Sequence, residues 1–199
     1  MRFGLRSLVY IGVFGGLWGG LEATLGAALH VVRLPFAGLV LASTGLTIAL
    51  VGRLFVPRPG SVLAIGLVTA LLKAVSVGGL VFSPMLAIVV ESLIAEAVLL
   101  ALGHRRPAFV AAGAAALAWP VVHPLVTQTL LAGRGVWIVY LEMVRGVMRV
   151  FRLDPGALAA ALAVFVALHL AAGALAGWLA WEAGRTAARR VGRGEEDLA

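Results

Sequence analysis

The chain has 199 residues, 62% of them hydrophobic and only 13% charged, with a net charge of +7. Soluble domains carry about half apolar and a quarter charged residues, so this composition excludes a soluble catalytic domain and describes an integral membrane protein. With no cysteine, disulfides and thiolate metal sites are excluded too.

A spanning helix takes about 20 mostly apolar residues, so the length allows roughly six spans joined by short connections. Six apolar stretches are read, at 8–29, 36–56, 61–80, 84–102, 108–132 and 157–181, with turn punctuation such as "PRPG", "FSP" and "LDPG" between them. The expected fold is all-α, one transmembrane domain over 1–199. A polar tail from about residue 182 is expected to fray.

The N-terminus has the charged start of a signal peptide, but its apolar run continues past Glu22 without a small-residue cleavage site. It is therefore read as a retained first span. This span carries "GVFGGLWGGLEATLGAAL", with Gly12, Gly16, Gly20 and Thr24 on one four-residue interval and Gly15, Gly19 and Ala23 on another. Small residues at that spacing let helix backbones approach closely in lipid. Two stripes imply one face packed within the bundle and another against something else.

Span three contains Lys73, the single lysine in a chain whose other fifteen basic residues are arginine. Thr69 and Ser76 flank it at i−4 and i+3, forming a polar stripe. Span four contributes Glu91 and Glu96, the latter read as an interhelix strut or partner contact. Span five carries "WPVVHPLVTQT", which groups Trp119, His123 and Thr127 on one face with Gln128 beside them. Pro120 and Pro124 are expected to bend that helix. In span six, His169 among apolar neighbours is read as a satisfied core residue.

Between spans five and six, residues 136–152 repeat apolar side chains at helical spacing (Trp137, Tyr140, Leu141, Val144, Met148), with Glu142, Arg145, Arg149 and Arg152 opposite. That pattern describes an amphipathic helix at the membrane surface or over the outer mouth of the bundle. Ten arginines fall on the side of the two termini and five on the other. The richer side is expected to be cytoplasmic, with both termini inside. The positive charge is thus explained by orientation, with no nucleic-acid partner.

Ionisable groups inside spans are costly and default to functional candidates. At a rise of about 1.5 Å per residue, Glu22, Lys73, Glu91 and His123 come to one level in the outer leaflet. A buried lysine needs a carboxylate nearby, and Glu91 or Glu22 is within reach by depth. Such a pair can also serve packing alone. An aromatic, an imidazole and an amide around a pocket suit a small planar heterocycle. Buried carboxylates favour a cationic solute and the outer arginines an anionic one.

Six spans, inward termini, a small-x-x-x-small first helix and polar residues beneath outer loops together resemble the substrate-binding S components of energy-coupling factor (ECF) vitamin transporters. The resemblance is architectural. It implies docking of Gly12, Gly16 and Gly20 on a transmembrane coupling subunit driven by paired ATPases. It implies a vitamin-like ligand near Glu91, His123, Gln128, Trp137 and Tyr140, with no cofactor and no chemistry performed by this chain. The lack of a G-x-x-x-x-G-K-[ST] loop fits an energy source elsewhere. Intramembrane proteolysis is disfavoured, since neither a G-x-S-x nucleophile motif nor H-E-x-x-H is present. His123 with Glu91 could form a small metal or acid–base site, but two ligands without a third are weak evidence for one. A proton-coupled secondary transporter or a membrane scaffold remain as alternatives, although no repeat of spans one to three appears in four to six.

Overall fold

A computed structural model describes residues 3–32, 36–75, 82–133, 135–152 and 155–196. These fold into seven helices with no strand among them: α1 (Leu5–Val32), α2 (Ala37–Phe55), α3 (Ser61–Val75), α4 (Phe82–Leu102), α5 (Arg106–Ala132), α6 (Val136–Phe151) and α7 (Pro155–Glu196). The predicted apolar stretches coincide with α1–α5 and α7, and the amphipathic segment with α6.

Five helices are long and apolar enough to cross a membrane: α1, α2, α4, α5 and α7. The α3 helix has 15 described residues, about 22 Å, short of the roughly 30 Å hydrocarbon core. The remainder of the predicted third span, 76–80, lies outside the described residues.

Local chemistry sets the helix ends. Gly103 closes α4 at φ +81°, and its N–H returns to the Leu99 carbonyl at 2.9 Å. Only glycine adopts that conformation without strain. Proline in the first turn of α5 lacks an N–H that would be unpaired there anyway. The α7 helix departs from expectation: it continues through the tail to Glu196 over 42 residues. Alanine, arginine and glutamate are strong helix formers, and Gly184 is buried against Val51 and Leu54 of α2, which anchors the extension.

Six helices close a ring in the order α1, α3, α4, α5, α7, α2, with α2 also reaching inward to α3, α4 and α5. The core is built where glycine admits a neighbour. The fully buried Trp18 indole of α1 sits on Gly45 of α2. Gly66 of α3 receives Ser92 of α4, and Gly113 of α5 meets the Gly173 backbone of α7. Leu8, Val9, Val13, Leu93, Leu100, Val164 and Leu175 are left exposed on the outside, an apolar surface suited to lipid.

The two glycine stripes of α1 divide as the spacing implies. A side chain at Gly15 or Gly19 would run into Val68 or Leu72 of α3, whereas Gly12, Gly16 and Gly20 face open space. The first stripe packs the bundle, and the second is uncovered.

At the end of the bundle carrying the 56–60 turn, Glu96 joins three elements. Its Oε1 accepts from the Gly60 N–H and its Oε2 from the Val62 N–H, both at 2.8 Å. Arg53 of α2 lies 3.2 Å from the same carboxylate and also donates to the Arg58 carbonyl. Glu96 thus caps α3 from a different helix and neutralises a buried arginine. His169 is likewise structural, with Nδ1 2.8 Å from the Phe165 carbonyl and its ring 4.3 Å from the Phe165 ring.

Candidate functional site

Where α1, α3 and α5 approach their C-terminal ends and α2 and α4 begin, the ring encloses a cavity of about 490 Å³. Its polar lining comes from Glu22 on α1, Lys73 on α3, Ser83 and Glu91 on α4, and His123 on α5. The four ionisable residues placed at one depth by the sequence therefore share one hollow. Ala23, Gly26, Ala27, Gly38, Ala42 and Ala87 make most of the remaining wall, with Leu41, Ile88, Pro84 and Pro120. Small side chains on α1 and α2 create the space, and helix-borne carboxylates furnish it.

Lys73 Nζ stands 3.4 Å from Glu22 Oε2, with the side chains 21% and 10% exposed. Of the two carboxylates within reach by depth, Glu22 is the partner. Glu91 is 3% exposed and makes no hydrogen bond or ion pair among the described residues. A carboxyl removed from water without a partner is costly, and such groups cluster where a ligand completes them.

His123 is oriented by Ser83, whose Oγ is 3.0 Å from Nε2. Its Nδ1 is buried without a partner. The imidazole lies 5.6 Å from the Trp119 ring, centroid to centroid, and the Trp119 indole N–H is also buried and unpartnered. The helix stays intact through Pro120 and Pro124, and Pro120 itself lines the cavity.

The other expected site residues lie off the cavity. Thr127 is one turn beyond His123, and its hydroxyl donates back to the His123 carbonyl at 3.0 Å. Gln128 is exposed: five residues rotate it about 140° from His123, onto another face of α5. Trp137 is 76% exposed and stacks edge-to-face on Tyr140 at 6.1 Å. Both project from α6, which is packed against α5 and α7 outside the ring through the fully buried Val139. Ser76 lies outside the described residues. The sequence reading missed Ser83, taken there as turn punctuation before Pro84, and the wall from Gly38, Leu41 and Ala42, small or apolar residues with no chemical signature.

Among the described residues no three His, Cys, Asp or Glu side chains are grouped to hold a metal. Comparison of the chain with protein-family models, characterised proteins and solved structures gave no match.

Proposed function

We propose that this protein is the membrane-embedded substrate-binding subunit of an ATP-driven micronutrient uptake transporter, an S component of the energy-coupling factor type. The observation that carries this reading is the cavity itself. It has solute size, within the roughly 300–1,000 Å³ range of small-molecule sites, and four helices each send an ionisable side chain into it. Nothing in pure packing calls for a half-open hollow lined by Glu91, which has no partner among the described residues, and His123.

Three further features support it. The arginine bias supports an orientation with the cavity end outside and both termini in the cytoplasm, and an S component would sit in a prokaryotic plasma membrane. Five helices of spanning length together with the apolar α3, taken as a short third span, make up the six spans of this reading. The uncovered Gly12–Gly16–Gly20 stripe offers a close-approach surface to the transmembrane coupling subunit, which paired ATPases would drive. In this reading the chain captures a scarce vitamin or vitamin precursor outside and performs no chemistry on it.

The unpaired intramembrane carboxyl of Glu91 also favours a second reading, a self-contained proton-coupled transporter. Purified protein in liposomes separates the two. Binding of a vitamin without uptake, converted to ATP-dependent uptake when a coupling subunit and ATPases are added, is the expected outcome. Uptake by this chain alone under a proton gradient would replace the proposal by the second reading.

A further inference from the structure

We infer that the solute held in this cavity is a small organic cation whose charged N–H group is received by the Glu91 carboxylate. The inference rests on the cavity being a solute site and adds the charge and anchoring residue of its occupant.

The charge inventory of the lining decides the sign. Lys73 and Glu22 compensate one another at 3.4 Å. Glu96, the other carboxylate of α4, is committed to Arg53 and the start of α3. Of the five outer arginines that argued for an anion, Arg145, Arg149 and Arg152 are exposed and do not line the cavity, and Arg33 and Arg134 lie outside the described residues. Among the described residues, what remains uncompensated in the wall is Glu91. A cationic solute supplies the counter-charge that this carboxyl lacks, whereas an anionic one finds no free cation among the described residues of the wall, the one nearby ammonium being engaged by Glu22.

Geometry supplies the rest. Glu91 is 3% exposed, without a partner, and lines the hollow, so an ammonium or amidine-like N–H would meet an acceptor with no competing bond to break. Charge-assisted bonds of this kind are short and strong. His123 gives a second fixed point on the wall: Ser83 holds Nε2 at 3.0 Å, and the ring lines the cavity. The alanine and glycine walls suit a flat apolar body between the two.

The test is isothermal titration of the full chain in phosphatidylcholine/phosphatidylglycerol nanodiscs at pH 7. The probes are pyridoxamine and 4-amino-5-aminomethyl-2-methylpyrimidine as cations with ammonium N–H groups, riboflavin as an uncharged ring system, and biotin and pantothenate as anions. The tightest binder should be cationic, a ranking that needs no variant. Glu91→Gln keeps the shape and hydrogen-bonding capacity but removes the charge. It should weaken that binder by at least about 30-fold, the loss typical when one member of a buried charge pair is removed. Glu91→Asp, which keeps the charge, should lose less. A tightest binder that is anionic or uncharged, or a cation bound as well by Glu91→Gln, overturns the inference and leaves the uptake reading standing. Failure of the folded wild type to bind any of the five overturns both.

Discussion

The Lys73 ammonium of α3 lies 3.4 Å from the Glu22 carboxylate of α1, across the gap between adjacent helices of the ring. The pair is neither fully buried nor free in water, since Lys73 retains 21% of its side-chain exposure. Removing one partner leaves the other as an uncompensated charge beside lipid and protein, whereas removing both leaves none. Lys73→Met or Glu22→Gln alone should therefore cost about 1–3 kcal/mol, below the fully buried range because of the remaining water contact. The double variant should be less destabilised than the sum. Unfolding of all four proteins in one detergent gives the coupling directly, and strictly additive losses would show that the contact carries no energy.

That relationship was half legible in the sequence. Depth along each helix follows from counting residues, so the common level of Glu22, Lys73, Glu91 and His123 could be read from span boundaries alone. Rotation about each helix could not be read the same way. Glu22 and Glu91 were equivalent by depth, and only the packing of α1 on α3 chose Glu22 for the lysine. The same blindness placed Gln128 and Tyr140 at the site: their residue types suited a ligand, but helix rotation turned Gln128 to another face and α6 settled outside the ring. Glu96, read from the sequence as an interhelix strut or partner contact, has the surroundings of a strut: two backbone N–H groups and an arginine.

Glu96 should accordingly be a stability residue with no part in solute binding. It satisfies two N–H donors at the start of α3 and the Arg53 charge at once. Glu96→Ala should cost about 3–5 kcal/mol, the range for orphaning a buried ion. The paired change Arg53→Met with Glu96→Gln should recover part of this. Thermal unfolding measures the first effect. Solute affinity of whatever Glu96→Gln protein folds should stay within about threefold of wild type, because Glu96 does not line the cavity and its bonds run to Arg53 and the start of α3. A larger affinity change would tie this cluster to the cavity.

Ser83 acts on the cavity through His123 and should behave as a positioning residue. Ser83→Ala removes the partner of Nε2 and frees the ring to choose its tautomer and tilt. A neutral hydrogen bond is worth about 0.5–1.5 kcal/mol, so solute affinity should fall by roughly 2- to 12-fold. Ser83→Thr, which keeps the hydroxyl, should hold closer to wild type. Equal losses in the two variants would place the effect in packing instead.

Two adjacent glycines on α1 offer the sharpest division between packing and docking. A Cβ at Gly15 would stand 2.6 Å from Val68 Cβ and 3.1 Å from the Ile65 carbonyl oxygen. Neither atom is the loose end of a flexible chain, so the helices must separate. At Gly16 the same Cβ meets nothing within 4 Å. Gly15→Leu should therefore break the α1–α3 contact and abolish monodisperse folded protein. Gly16→Leu should leave stability and solute affinity near wild type. If the open stripe is the face applied to a coupling subunit, Gly16→Leu should nonetheless abolish complex formation and ATP-dependent uptake, since close backbone approach tolerates no large side chain. Co-purification with the coupling subunit and ATPases reads this outcome. A Gly16→Leu protein that still assembles and transports would leave the stripe a lipid-facing surface and place docking on another face.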